Sequence, residues 1–497
     1  MVHPEDAARE NYHDIPDNGL DSFRTRMYYI EFTMQGSPVI HASFRVKTPW
    51  LRKLLHVASI ALGTVLLLVL VILVFFFDTI LNGVGKDRML RAFSDAYPSA
   101  SFELGNMSYH FWDNRLDLDS LRLVTADSGM TCSVSTLSLH GIAWMRILWP
   151  RDSVSLPFES AVLDARGMAI RFRPSMNSLR IDALHLSAPD SVMTLDSVHF
   201  LPGYDDEDLF ALSRYRQTRF RFSVPLLRIS ALDCAALLRG DGYRARHVAI
   251  ENLAADILVN MDKPYDAKST PPQMPNEAFA AIRDSLRIDS VTVRGGRLNY
   301  CERIAVRGTP GVITFDRIAV KTGRISNTAV VPDTTIIHAE GRFMGSANMT
   351  MEMALPLSST TFSLRYSGYL GHMQLTALNA FLVPCEHRRV TAGVMHAARY
   401  SVHVVSGKSR GTLRAEYTRL RISVLDARTG SSKGIFDRIA SFIGKLFVIR
   451  GSNMPGERGS LKLGTIRRTR RADDYFLQNL WFALRGGVAD VVGFTEK

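Results

Sequence analysis

Four short stretches carry residue types suited to chemistry. Gly407 to Gly411 reads GKSRG, formally the G-x-S-x-G of a nucleophile elbow. An elbow needs a strand before it and a helix after it, so that the serine stands on a strained turn. TLRAEYTRLRISVL follows instead, which is strand-like, and Lys408 and Arg410 suit a polar hairpin tip. The same residues contain GKS, but a phosphate-binding loop would need glycine where Val402 stands. Ser409 is therefore not expected to act as a nucleophile, and a membrane-anchored hydrolase is the third-ranked idea.

Cys385 and His387 in VPCEHRR have no partner motif that would complete a metal or Cys/His site. Cys132, Cys234, Cys301 and Cys385 are widely spaced, with no C-x-x-C, so neither zinc nor a disulfide scaffold is indicated. The acidic run Asp205 to Asp208 lacks the spaced ligands and central glycine of a calcium loop and reads as a solvated loop or a helix start. Arg467 to Arg471, RRTRR, suits either anionic headgroups or a wet strand edge that discourages aggregation. No nucleophile, base and orienter come together, so the expectation is a protein that is not an enzyme and needs no cofactor or metal.

The elements that would position these residues are mostly strands. Met168, Ile170 and Phe172 alternate with Ala169, Arg171 and Arg173, and Phe220, Phe222 and Val224 alternate with Arg219, Arg221 and Ser223. A period of two means one buried and one wet face. LRIDALHL (179–186) is nearly repeated as LRIDSVTV (286–293), with apolar positions 1, 3, 6 and 8 and a polar residue at position 4. LDLDSLRL (116–123), CSVSTLSL (132–139), MTLDSVHF (193–200), LRISALDC (227–234) and ITFDRIAV (313–320) fit the same template. FELGNMSY (102–109) and VAIENLAA (248–255) fit it loosely. The alternation changes phase in mid-segment, which requires a bulge or two short strands joined by a tight turn. Asp or Ser at the switch suits both, since its side chain bonds nearby backbone. Spacings of 14 to 16 residues between copies at 102, 116 and 132 suit antiparallel neighbours in a meander.

Val57 to Phe77 is an uncharged run of 21 residues. That is enough to cross about 30 Å of hydrocarbon as a helix. Arg45, Lys47, Arg52 and Lys53 precede it, so the amino terminus is expected inside and the rest outside the cytoplasm. The net charge of +12 and pI near 9.6 suit an anionic partner, either nucleic acid or a membrane surface, although the basic residues are scattered through alternating segments and suit a solvated polar face better. The expected organisation is a polar cytoplasmic tail (1–53), a transmembrane helix (54–78), repeated strands (79–261), a Pro-rich loop with a short helix (262–285), a second β region (286–432) and terminal amphipathic helices with a strand (433–497). A short helix is also expected at Lys86 to Tyr97. The stripe Ile435, Phe436, Ile439, Phe442, Ile443, Leu446 and Phe447, and a second helix over Asp473 to Asp490, suit packing on a sheet or docking on a membrane.

A single amino-terminal span, a short helix and repeated φ-x-φ-D-x-φ-x-φ strands resemble the AsmA-like proteins of the bacterial envelope. LRIDSVTVRGGRLNYCERIAVRGTPGVITFDRIAVKTGRI looks like the family's strand, glycine and strand segment. GYLGHMQLTALNAFLVPCEHRRVTAGVMHAARYSVHVVSGKSRGTLRAEYTRLRISVL resembles its carboxy-terminal region, and FALRGGVADVVG its terminal helix in a branch long described only as a domain of unknown function. The resemblance covers roughly residues 54 to 492 and departs from the family at CEHRR and in the long tail. It implies a mainly β fold, with one transmembrane helix followed by a long curled antiparallel sheet forming an apolar groove with a few capping helices. It further implies anchorage in the bacterial inner membrane with the bulk of the chain periplasmic. The implied function is binding or conducting phospholipid in outer-membrane biogenesis, in contact with envelope assembly proteins and not nucleic acid. Leu179, Ile181, Phe220, Phe222, Leu286 and Ile288 are the expected groove residues. A scaffold for outer-membrane assembly that handles no lipid is the alternative.

Overall fold

The computed structural model describes residues 57–71, 81–110, 112–125, 127, 129–142, 160–173, 175–266, 268, 270–327, 334–425, 449–456 and 461–493. The chain divides into two compact units, Met1–Leu68 and Val69–Lys497. Residues 57–71 form helix α1, along which Val57, Ile60, Leu62 and Leu66 are more than half exposed. The rest of the expected span, 72–77, lies outside the described residues, as do the tail 1–53 and the stripe at 435–447. Among the described residues no helix is long and apolar enough to cross a membrane.

The second unit is one mixed sheet of 20 strands with few helices. Strands β1 (Ala100–Glu103) and β2 (Asn106–His110) both pair with β3 (Arg115–Thr125). From there β4 (Met130–His140), β5 (Val162–Phe172), β6 (Asn177–Ser187), β7 (Val192–Leu201) and β8 (Thr218–Ser230) follow as an antiparallel meander. β9 (Tyr243–Glu251) and β10 (Ala254–Asn260) lie end to end along β8. β11 (Leu286–Arg303) pairs with both of them in parallel, at a constant offset of 43 residues from Leu286↔Tyr243 to Arg303↔Asn260.

This parallel step corrects the expectation of an all-antiparallel sheet. After Asn260 the Pro-rich crossover and helix α5 (Pro275–Ala280, introduced here with α2, Lys86–Ala96, α3, Asp206–Ala211, and α4, Cys234–Arg239) carry the chain back to the end where β9 began. A returning connection of this kind forces parallel pairing. Antiparallel order then resumes through β12 (Gly311–Thr322), the short β13 (Ile325–Ser326), β14 (Thr335–Phe343), β15 (Ala347–Leu355) and β16 (Leu364–Leu370). The short β17 (Met373–Gln374), helix α6 (Asn379–Glu386), β18 (Arg388–Val405), β19 (Lys408–Val424), β20 (Leu463–Thr469) and helix α7 (Phe476–Val492) complete the unit. The β18–β19 hairpin turns on Ser406 and Gly407, with φ of 47° and 75°. GKSRG is thus a hairpin tip running into a strand.

The expected phase change is a crease crossing the first half of the sheet. Each ladder skips one or two positions there, among them Gly105 against Ser120, Ser120 against Ser135, Ser135 against Gly167, Gly167 against Asp182, and Asp182 against Ser197. The row continues through Pro225 and Asn252 to Gly295. Left-handed residues occupy it in alternate strands of the meander, with φ of 56° at Ser120, 62° at Gly167 and 53° at Ser197, and then on both sides of the parallel pairing, with 54° at Asn252 and 68° at Gly295. Gly, Asn and Ser reach this region at least cost. Pro225 is tolerated inside β8 because no ladder bond is asked of it there. Register is conserved on both sides, so no strand carries an extra residue relative to its neighbour until β12, where Arg317 (φ 52°) marks a true slip. Of the nine template copies, those beginning at 102, 116, 132, 179, 193 and 248 lie on this crease. The copy at 313 lies at the slip, the copy at 227 ends β8, and LRIDSVTV lies before Gly295 with a pairing skip of its own at Asp289 opposite Arg246.

A Cβ at Gly167 would stand 2.4 Å from Ser135 Oγ. We expect Gly167→Ala to lower stability by about 1–2 kcal/mol from backbone strain alone, with Ser135→Gly restoring part of any excess. Ser197→Gly should stay within about 1 kcal/mol of the parent, since relief of the left-handed side chain offsets added chain entropy. Denaturant unfolding of the three variants measures this, and equal losses at both sites would contradict the crease.

Candidate functional site

Because the strands of the first half change phase at the same place, one face of the sheet stays apolar on both sides of the crease. A registered row starts with Met107, Leu118, Leu137, Ala165, Leu184, Leu195 and Leu227. It runs on through Ile250, Val293, Val320, Ala339, Met351, Gly368 and Tyr400. Fourteen strands at about 4.8 Å spacing make a row about 60 Å long. Across the crease a second row carries Phe102, Leu123, Cys132, Ile170, Leu179, Phe200 and Phe222, then Ala255, Leu298, Phe315 and Phe343. The opposite face is polar: Asp117, Ser138, Asp164, His185, Thr194 and Arg228 align there.

Three regions of the apolar face differ in what covers them. At the amino-terminal end α2 lays Met89 and Leu90 against Leu104, Met107 and Leu118, and Phe93 stacks on Phe102 with centroids 4.9 Å apart. At the other end α7 buries Leu480, Ala483, Val491 and Val492 in the main core. Gly487 lets that helix approach closely, since a Cβ there would lie 2.7 Å from Ile466 Cγ1. Between them, Ile181, Val198 and Val224 form a cluster with Met168, Leu179, Leu195, Leu227, Ile250 and Leu253, to which no described helix contributes.

The α7 end also shows how the sheet bends. The segment before α7 reaches β8, with Tyr475 edge-on to Phe220 at 6.1 Å and Asp473 3.5 Å from Arg216. Along the sheet, β20 and β8 are nine strand steps apart, about 43 Å. Contact across that distance requires the intervening strands to curve back on themselves. Inside the curve Tyr300 donates to Glu302 Oε1 at 2.6 Å and accepts from Gln478 Nε2 at 3.0 Å. Burial raises the Glu302 carboxyl above its ordinary range, partly opposed by the Tyr300 hydrogen bond.

Of the expected groove residues, the structure brings Leu179 and Ile181 together in the middle cluster. Phe222 joins their face through its stack on Phe200 (5.0 Å, 6° between planes), and Phe220 continues it toward Tyr475. Leu286 and Ile288 are not brought to these four. They lie half-buried at the start of β11, separated from Val291 and Val293 by a skip in the pairing at Asp289 opposite Arg246.

The expected wet face of β8 needs revision at one position. Arg219 is 5 % exposed, beneath α3, paired with Asp206 (2.9 Å) and Asp256. Arg303 is held likewise by Glu207 (2.7 Å) and Asp262 (3.0 Å), with its guanidinium 4.6 Å above the Phe210 ring. The acidic run is therefore a helix start, capped by Asp205 on the Asp208 N–H (2.9 Å), whose next two acids neutralise buried arginines. Sequence reading missed this because the partners lie 13 and 96 residues apart.

A cleft of about 770 Å³ lies against β11–β18, lined by Thr292, Lys321, His338, Glu352 and Ser367 of the polar face together with Arg294 and Arg399. His338 pairs with Glu352 at 3.4 Å, both largely exposed, and Arg399 lies over the half-buried Tyr369 ring at 5.0 Å. Cys132 and Cys385 are half-buried, and Cys234 and Cys301 buried, all four as free thiols. Among the described residues no group of three or more His, Cys, Asp or Glu is arranged to hold a metal ion.

A carboxyl whose folded pKa lies above its unfolded value binds more protons when folded, so its contribution falls as pH rises from about 4.3 through the folded pKa. Glu302→Gln should therefore flatten the loss of stability between acid and neutral pH. Paired denaturant titrations of parent and variant at pH 5 and pH 7.5 measure this, and an unchanged slope would contradict it.

Neither a search of protein-family models nor one of curated proteins finds any match to the chain.

Proposed function

We propose that this protein binds or conducts acyl-chain lipid on the apolar face of its sheet, as an inner-membrane-anchored component of envelope biogenesis whose bulk lies in the periplasm. One observation carries the reading: the apolar row from Met107 to Tyr400 is unbroken, and its middle third is built of strand residues with no described helix laid over it. A face of this kind offers dispersion contacts and exclusion of water without a polar reaction centre. Each buried methylene contributes about 0.8 kcal/mol, so ten would supply about 8 kcal/mol before ordering costs. The helical segment 57–71 and the basic residues ahead of it support anchorage at a membrane. The resemblance to AsmA-like proteins gives the same assignment of lipid and compartment.

Ile181 and Val198 face one another across β6 and β7 and are 7 % and 8 % exposed. Ile181→Asn with Val198→Asn places two amides on the face with little space to hydrate them. Full-length protein purified in detergent should carry phospholipid detectable by mass spectrometry. The double variant should lose it while keeping its far-ultraviolet dichroism. Parent protein free of lipid, or a folded variant with undiminished lipid, would leave the scaffold reading in its place.

A further inference from the structure

We infer that Arg216 and Arg471 form a subsite for the phosphate group of a lipid whose acyl chain lies against Phe220 and Phe222. The inference rests on the lipid reading and adds the place and charge of the headgroup.

Asp473 lies between the two arginines, with Oδ2 3.5 Å from Arg216 Nη1 and Oδ1 3.3 Å from Arg471 Nε. One largely buried carboxylate thus orients two guanidiniums and neutralises only one of them. Every other arginine named in this corner has its own acid. Arg470 meets Glu277 at 2.9 Å, Arg468 meets both oxygens of Asp474, and Arg219 meets Asp206 and Asp256. Arg216 and Arg471 thus share one carboxylate where these neighbours have their own. The backbone at Arg216 is held as well, since its main-chain N–H donates to the Pro264 carbonyl at 2.8 Å.

The same corner is where the apolar face comes to the surface. Phe220 and Tyr475 are 39 % and 38 % exposed, edge to face, and the stacked Phe200 and Phe222 lead back from them along the sheet. An amphiphile with its chain on these rings would carry its polar end to the guanidiniums. Arginine suits that end, because its planar fork gives paired donors to phosphate oxygens and is more weakly hydrated than an ammonium.

The test uses the full-length protein in detergent and two fluorescent probes of equal acyl length, a phosphatidylglycerol and a diacylglycerol that lacks the phosphate. The parent should bind the phosphate-bearing probe about tenfold or more tightly, as one charge-assisted hydrogen bond of about 1.5–3 kcal/mol requires. Arg216→Gln with Arg471→Gln should erase that preference and leave diacylglycerol binding unchanged, and the corresponding lysine pair should retain part of it. Asp473→Asn, which leaves both guanidiniums uncompensated, should strengthen the preference, and it reads the same site if the glutamine pair does not fold. A preference that survives in a folded glutamine pair, or that Asp473→Asn leaves unchanged, would overturn the subsite. Inorganic phosphate displacing the probe at the probe's own concentration would reassign it to free phosphate. Failure of the parent to bind either probe would instead overturn the lipid reading itself.

Discussion

The structure depends on one backbone constraint, the crease that crosses the sheet at the same register position from Gly105 to Gly295. A strand's side chains alternate strictly, so a phase change in one strand alone would turn half of it against its neighbour's pattern. Here the neighbours change phase together. Leu118 with Leu121, Leu195 with Val198, and Ile250 with Leu253 are each three residues apart and yet share a face. The left-handed residues in alternate strands make that possible, and the unbroken apolar and polar faces are its products.

Much of this was legible in the amino-acid sequence, though not evenly. The alternation of Phe220, Phe222 and Val224, and the switch within LDLDSLRL and MTLDSVHF, could be read directly because they are local. Helices Lys86–Ala96, Pro275–Ala280 and Phe476–Val492 fall close to where caps, prolines and apolar stripes put them. What could not be read is register. LRIDALHL and LRIDSVTV each carry a pairing skip at their Asp, yet Asp182 lies on the crease that reaches Gly295 while Asp289 lies six residues before it. Local spelling does not reveal that β11 starts early, because the crossover before it sets that. The parallel pairing of β11 was hidden for the same reason.

Exposure was also misread where a third element intervenes. Alternation assigns Arg219 to water and Phe220 to the core, but α3 covers the first and the surface takes the second. The polar face tolerates this because Asp206 and Asp256 accompany Arg219 below the helix. On the apolar side Phe220 is left where the terminal segment arrives from β20. The charged and aromatic features of that corner are thus a result of the sheet's bend, not of any contiguous motif.

The constant register on both sides of the crease has a further consequence. Since no hairpin from β3 to β8 shifts its neighbours, each is interchangeable with the next in cross-section. Inserting or deleting one hairpin would change the span by about 10 Å and leave its width as it was. Length and width are therefore encoded separately, length by how many hairpins the chain repeats and width by where in each strand the polar switch falls.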